Sequence, residues 1–126
     1  MDAKLGAKVW LIPDGYYPES SSGKFSSHEA ICVLNPGRQD AELSITLYFE
    51  DRDKMEGFKA VCQAERTNHI RMDQIKNAKG EGVPQGVAYG MMVQSNTEVI
   101  VQYSRMDTTQ AEMGLMTTMA YQVSFH

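Results

Sequence analysis

Cysteine is scarce. The 126 residues contain two, Cys32 and Cys62, each within an apolar stretch and without C-x-x-C spacing. Paired-thiol zinc and redox signatures are thereby excluded, and both side chains are expected as buried, reduced thiols. Long apolar runs are missing as well. The longest, near residues 86–93, already contains glycine and tyrosine, whereas a spanning helix takes roughly 18 or more consecutive apolar residues. The N-terminal Met1-Asp2-Ala3-Lys4-Leu5 lacks a charged region followed by an apolar one, so no secretory signal is expected and the chain reads as cytoplasmic. Nor is there an excess of positive charge. Twelve Lys and Arg face 16 Asp and Glu, a formal net charge of −4, which disfavours a broad grip on the phosphate backbone of nucleic acid.

Signatures of catalysis are absent too. Residues 76–86 hold Gly80, Gly82, Pro84 and Gly86, but not the Lys-Ser/Thr end of a phosphate-binding loop. Neither H-x-H nor H-E-x-x-H spacing occurs, and no glycine-flanked elbow serine is present. Ser27-His28-Glu29 has the residue types of a hydrolytic triad, yet neighbours along a strand point to opposite faces and cannot align as nucleophile, base and orienter. No internal repeat marks a solenoid or propeller. The chain reads as a non-enzyme with no catalytic residue, metal or cofactor.

What is present is strand periodicity. With 42% hydrophobic and 22% charged residues, the chain has material for one core and too little for two, so residues 1–126 are expected as one domain. In residues 41–50, Leu43, Ile45, Leu47 and Phe49 alternate with Glu42, Ser44, Thr46, Tyr48 and Glu50, the period of a strand with one buried face. The turn cluster Asn35-Pro36-Gly37-Arg38-Gln39-Asp40 and the apolar run at residues 30–34 before it predict an antiparallel hairpin. Further strands are expected at residues 8–12, 58–64, 67–72, 87–94, 99–105 and 120–125, with Ser95-Asn96-Thr97-Glu98 as a turn. Residues 108–119, where Met113, Met116 and Met119 recur at spacing three, fit either a helical turn or a bulged strand. The expected architecture is all-β: an antiparallel, jelly-roll-like sandwich of about eight strands.

Two regions attract polar chemistry. Residues 13–26 read as a long loop carrying Tyr16 and Tyr17. In Arg66-Thr67-Asn68-His69-Ile70-Arg71, alternation places Thr67, His69 and Arg71 on one face, and Arg105-Met106-Asp107 supplies another charged pair. Such groups suit recognition of a carboxylate, phosphate or sugar hydroxyls, and equally a structural ion-pair network.

Ser27-His28-Glu29-Ala30-Ile31-Cys32-Val33-Leu34-Asn35, Arg66-Thr67-Asn68-His69-Ile70-Arg71, Val93-Gln94-Ser95-Asn96 and Val101-Gln102-Tyr103-Ser104-Arg105-Met106-Asp107 together resemble the sensory rhodopsin transducer family. The shared pattern is an S-H-E-x-x-C-x-L-N strand, an R-T-x-H-x-R strand, a Q-S-N turn and a Q-x-x-R-x-D segment, in matching order from about residue 8 to 121. The resemblance implies a small β-sandwich that assembles as a homotetramer, is similar in shape to carbohydrate-binding domains, and serves a membrane rhodopsin or other signalling partner. It implies no catalytic role. The positions it marks for a ligand pocket or subunit contact are His28, Glu29, Asn35, Arg66, His69, Arg71, Gln94, Asn96, Arg105 and Asp107. This chain departs from the family pattern in its glycine-rich loop at residues 79–86.

Two functions are therefore in view. The first is a non-enzymatic, homo-oligomeric signalling or adaptor protein that binds a partner or small ligand. The second is a carbohydrate- or small-molecule-binding module, for a sugar or small anion, with Trp10, Tyr16 and Tyr17 as candidate stacking rings.

Overall fold

The computed structural model describes residues 5–18, 28–107 and 114–123, with backbone only at 106–107 and 114–115. It contains eight strands: β1 Ala7–Tyr16, β2 His28–Asn35, β3 Ala41–Phe49, β4 Met55–Cys62, β5 Arg66–Arg71, β6 Ala88–Asp107, β7 Gly114–Met119 and β8 Tyr121–Val123. Among the described residues there is no helix long and apolar enough to cross a membrane.

The fold is organised by β6, a 20-residue strand that serves both layers of the sandwich. Its first half pairs with β3 and β1, giving a sheet ordered β4-β3-β6-β1-β8. Its second half pairs with β2 and β7, giving β5-β2-β6-β7. Every pairing is antiparallel. The inward faces of both sheets form one core, which includes Ile31, Val33, Leu43, Ile45, Leu47, Phe58, Val93 and Val101.

Residues 95–98 do not reverse the chain as the sequence predicts. They are a bulge in a continuous strand, because Val9 pairs with Gln94 while Ala7 pairs with Val99. The polar run is a bend at which β6 leaves one sheet for the other. Trp10 fixes this bend: its buried indole N–H donates to the carbonyls of Ala7 and Val99, at 3.1 and 3.0 Å. Gly6, at φ +90°, crosses so close to the Val99 carbonyl that no Cβ could be accommodated.

The predicted β2–β3 hairpin is also absent. β2 pairs with β5 and β6, while β3 pairs with β4 and β6, so residues 36–40 arch from one sheet to the other. Asn35 organises the arch. Its Nδ2 donates to Gln39 O (2.8 Å) and Cys62 O (2.9 Å), and its Oδ1 accepts from Gly37 N (3.1 Å). A second arch at residues 63–65 is bonded to the first through Glu65 N and Gly37 O. The hairpin in this region is β3–β4.

Two other differences follow from local chemistry. β1 continues through the predicted loop to Tyr16, with a register shift between Ile12 and Gly15. Pro13 lies in that interruption, where a missing N–H breaks no ladder bond. Residues 114–119 form β7, and the remainder of the 108–119 segment lies outside the described residues, as do residues 19–26 of the predicted loop. Both cysteines are free, Cys62 buried and Cys32 half-buried rather than fully enclosed.

Asn35→Ala should lower unfolding free energy by about 2–3 kcal/mol in chemical denaturation, because it removes one acceptor and two donors in a buried arch. The same change at exposed Asn96, whose Oδ1 accepts from Glu42 N, should cost less than about 1 kcal/mol.

Candidate functional site

The two ends of the sandwich differ. The arches and the β6 bend close one end. At the other, the end of β1, the start of β2, the end of β5 and the end of β3 come together with long connections between them.

Glu29 stands at this open end and is 1% exposed. Alternation along β2 turns it inward with Ile31 and Val33, so a carboxylate occupies a core position. It accepts three hydrogen bonds: from Tyr89 Oη on Oε1, and from Tyr103 Oη and the Tyr16 backbone N–H (2.6 Å) on Oε2. The tyrosines come from the two halves of β6, so one side chain joins both sheets. Burial raises both tyrosine pKa values, and the adjacent Glu29 carboxylate raises them further by opposing a second negative charge. Both remain protonated donors. Arg105, opposite Glu29 in the β2–β6 register, acts in the other direction on both rings.

A second polar group lies beside the first. Arg71, at the end of β5, makes a two-pronged contact to Asp73, with Nε–Oδ1 at 2.9 Å and Nη2–Oδ2 at 2.6 Å. The pairing holds the Asp73 carboxyl below the usual carboxylate range and raises the Arg71 guanidinium. Half-buried His28 adds to the field at Asp73, and Tyr17 to that at Arg71. The Tyr17 carbonyl accepts from Gly86 N at 2.7 Å, and Met72 N donates to Glu29 O at 2.9 Å, which straps the neighbouring loops to the same end. An open groove of about 930 Å³ also lies here, between the β3–β4 turn and residues 77–81, with exposed Tyr48 and the Phe49 ring beneath Arg52 on its wall.

Of the positions marked in the sequence, Tyr16, Tyr17, His28, Glu29, Arg71 and Arg105 gather at this end. The rest do not. Arg66 lies at the far end of β5, donating to Glu65 O, and His69 is exposed on the outer face opposite Cys32. Gln94 and Asn96 are exposed near the β6 bend, and Asn35 is occupied within its arch. Asp107 is the exception: it ends β6 opposite Gly114, one residue beyond the Met106–His28 pair, so its backbone lies at the open end as well. Trp10 is a correction: 3% exposed and with its N–H occupied at the bend, it offers no stacking face to a sugar.

Tyr89, Tyr103 and Gly15 escape the sequence reading as site residues. The available signal was that a tyrosine at a core position of a strand needs a hydrogen-bond partner for its hydroxyl. Among the described residues, no three His, Cys, Asp or Glu side chains are grouped to hold a metal ion.

The raised tyrosine pKa values set an alkaline limit on stability. Below about pH 10 both rings are neutral in the folded and unfolded chain, and their contribution is fully present. Above it the unfolded chain loses protons first, so stability falls by about 1.4 kcal/mol per pH unit for each tyrosine until the folded state ionises. Denaturant midpoints between pH 9 and 11 should fall less steeply in Tyr103→Phe than in the parent protein.

Comparison with known proteins places this geometry. The family model described as Anabaena sensory rhodopsin transducer matches residues 5–122. The crystal structure of Thermotoga maritima 1070 is similar at a TM-score of 0.83 and 34% identity, covering 94% of this chain and 96% of that one. The structure of the Anabaena sensory rhodopsin transducer is similar at 0.70 and 30% identity, covering 80% of this chain and 99% of that one. No protein of curated function matches. With nearly the whole chain matched and the sandwich shared with these structures, the chain belongs to the Anabaena sensory rhodopsin transducer family.

Proposed function

We propose that the protein is a non-enzymatic signalling adaptor that acts as a homo-oligomer and engages its partner through the open end of the sandwich. The observation that carries this reading is the gathering there of Tyr16, Tyr17, His28, Glu29, Arg71 and Arg105, drawn from four strands and the residue that follows β1. Half-buried cations beside aromatic edges suit an acidic or carboxylate-bearing surface. The family name supports a membrane rhodopsin, or another signalling protein, as the partner class.

The second reading is a small-molecule-binding module. The groove beside Tyr48 favours it, since an exposed ring with charged groups around it is a stacking surface for a sugar or a small anion. Tyr48 takes the stacking part expected of Trp10.

Thermal unfolding against sugars, carboxylates, phosphates and a detergent-solubilised rhodopsin separates the two. A ligand at roughly 100 times its dissociation constant adds about 2.7 kcal/mol to stability. Stabilisation by the rhodopsin that is lost in Arg105→Ala supports the adaptor. Stabilisation by a sugar or anion that is lost in Tyr48→Ala supports the module instead. No response to any addition contradicts both, and a single-protomer mass in light scattering contradicts the homo-oligomer.

A further inference from the structure

Glu29 does more than fill a core position, because of what it holds. At the closed end the sheets are joined by arches and by β6 itself. At the open end, a short-range tie across the layers is Glu29 on β2, bonded to Tyr89 and to the Tyr16 N–H of the opposite sheet. The end of β1 is seated directly on this tie. A Cβ at Gly15 would lie 2.9 Å from the Tyr89 ring and 3.3 Å from Glu29 Oε2, so no larger residue fits between them. Beyond Tyr16 the chain leaves the sheet through Tyr17 and Pro18.

We propose that Glu29 is a proton-sensitive latch that holds the Gly15–Tyr16 end of β1 against the second sheet when ionised and loosens it when protonated. An ionised carboxylate serves all three donors, and hydrogen bonds to a charged group are about twice as strong as neutral ones. Protonation removes the charge and turns one acceptor site into a donor. The two hydroxyls can rotate to compensate, but the Tyr16 N–H can only donate. Its hold therefore weakens most.

The surrounding charges leave Glu29 as the group that acts. From β1 the Tyr16 N–H meets it, and Gly15 beside it has no side chain. From β6, Tyr89, Tyr103 and Arg105 face it, and both tyrosines stay neutral across the acid range. Beyond β5, Arg71 and Asp73 pair with each other, with His28 beside Asp73. The functional meaning of the latch rests on the open end being the docking end, whereas its existence does not. It would make presentation of Tyr16 and Tyr17 to a partner depend on protonation.

The test is a pH titration of the full chain by amide NMR, read at Tyr16 without any partner. On acidification from pH 7 the Tyr16 resonance should move in one step, and its exchange protection should fall at least tenfold. Glu29→Gln should show no step and should have the low protection already at pH 7. Ile45, in the centre of β3, should keep its protection in both. The proposal is overturned if the step persists in Glu29→Gln, if Tyr16 protection at pH 7 is unchanged, or if Ile45 loses protection equally. Should Glu29→Gln fail to fold, Tyr103→Phe carries the test. It removes one donor and should give an intermediate loss of protection at Tyr16, with full protection contradicting the latch. A latch confirmed here with no partner response elsewhere would leave the device standing and the docking assignment overturned.

Discussion

The hydrogen bonds that Tyr89 and Tyr103 donate to Glu29 connect the two halves of β6 across the core, and the open end is arranged around them. A carboxylate 1% exposed has lost the hydration that would stabilise its charge, so the three donors are a condition of its presence. Buried ionic groups of this kind are weak evidence for net stability, because desolvation opposes most of what the bonds return. Removing one partner is a different matter, since it leaves the others buried around an incomplete set. The group is better understood as setting geometry: which part of β1 meets which part of β2, and how far apart the sheets stand there.

At the closed end the same task falls to backbone and neutral groups. Trp10 caps two carbonyls where β6 crosses between layers, and Asn35 satisfies two carbonyls and one amide where the chain arches from β2 to β3. Neither involves an ionisable side chain. The two ends therefore differ in the carboxylate each uses: an exposed one at the closed end, where Asp40 accepts from Ala64 N between the arches, and a fully buried one at the open end, set among tyrosine hydroxyls and beside an arginine–aspartate pair. This asymmetry, together with the clustering of half-buried polar residues, directs the functional reading to the open end.

Periodicity revealed the strands more readily than their partners. Leu43, Ile45 and Leu47 announce β3 because alternation is a local property, and the exposed Thr67 and His69 faced outward as spacing required. Pairing depends on contacts distant in sequence, so the turn residues after Asn35 suggested a hairpin where the chain arches instead. Ser95-Asn96-Thr97-Glu98 was read as a reversal because polar residues mark both turns and bulges. Pro13 and Gly15 disguised the end of β1 for a related reason: each breaks a strand pattern, yet each fits a bulge. At the site, motif resemblance identified Glu29, Arg71 and Arg105, while Tyr89 and Tyr103 were hidden among apolar positions of the same strand. Trp10 looked available for a ligand because a sequence does not show what a large ring packs against.

Glu29 and the tyrosines of β6 act as one unit across the sandwich. A double-mutant cycle in denaturant, with Glu29→Gln, Tyr89→Phe and the pair together, tests it most directly. Groups in one buried network couple by about 0.5–3 kcal/mol, and the cycle should return a value of at least about 1 kcal/mol. Additive losses would show that the two side chains contribute independently and that no such unit exists.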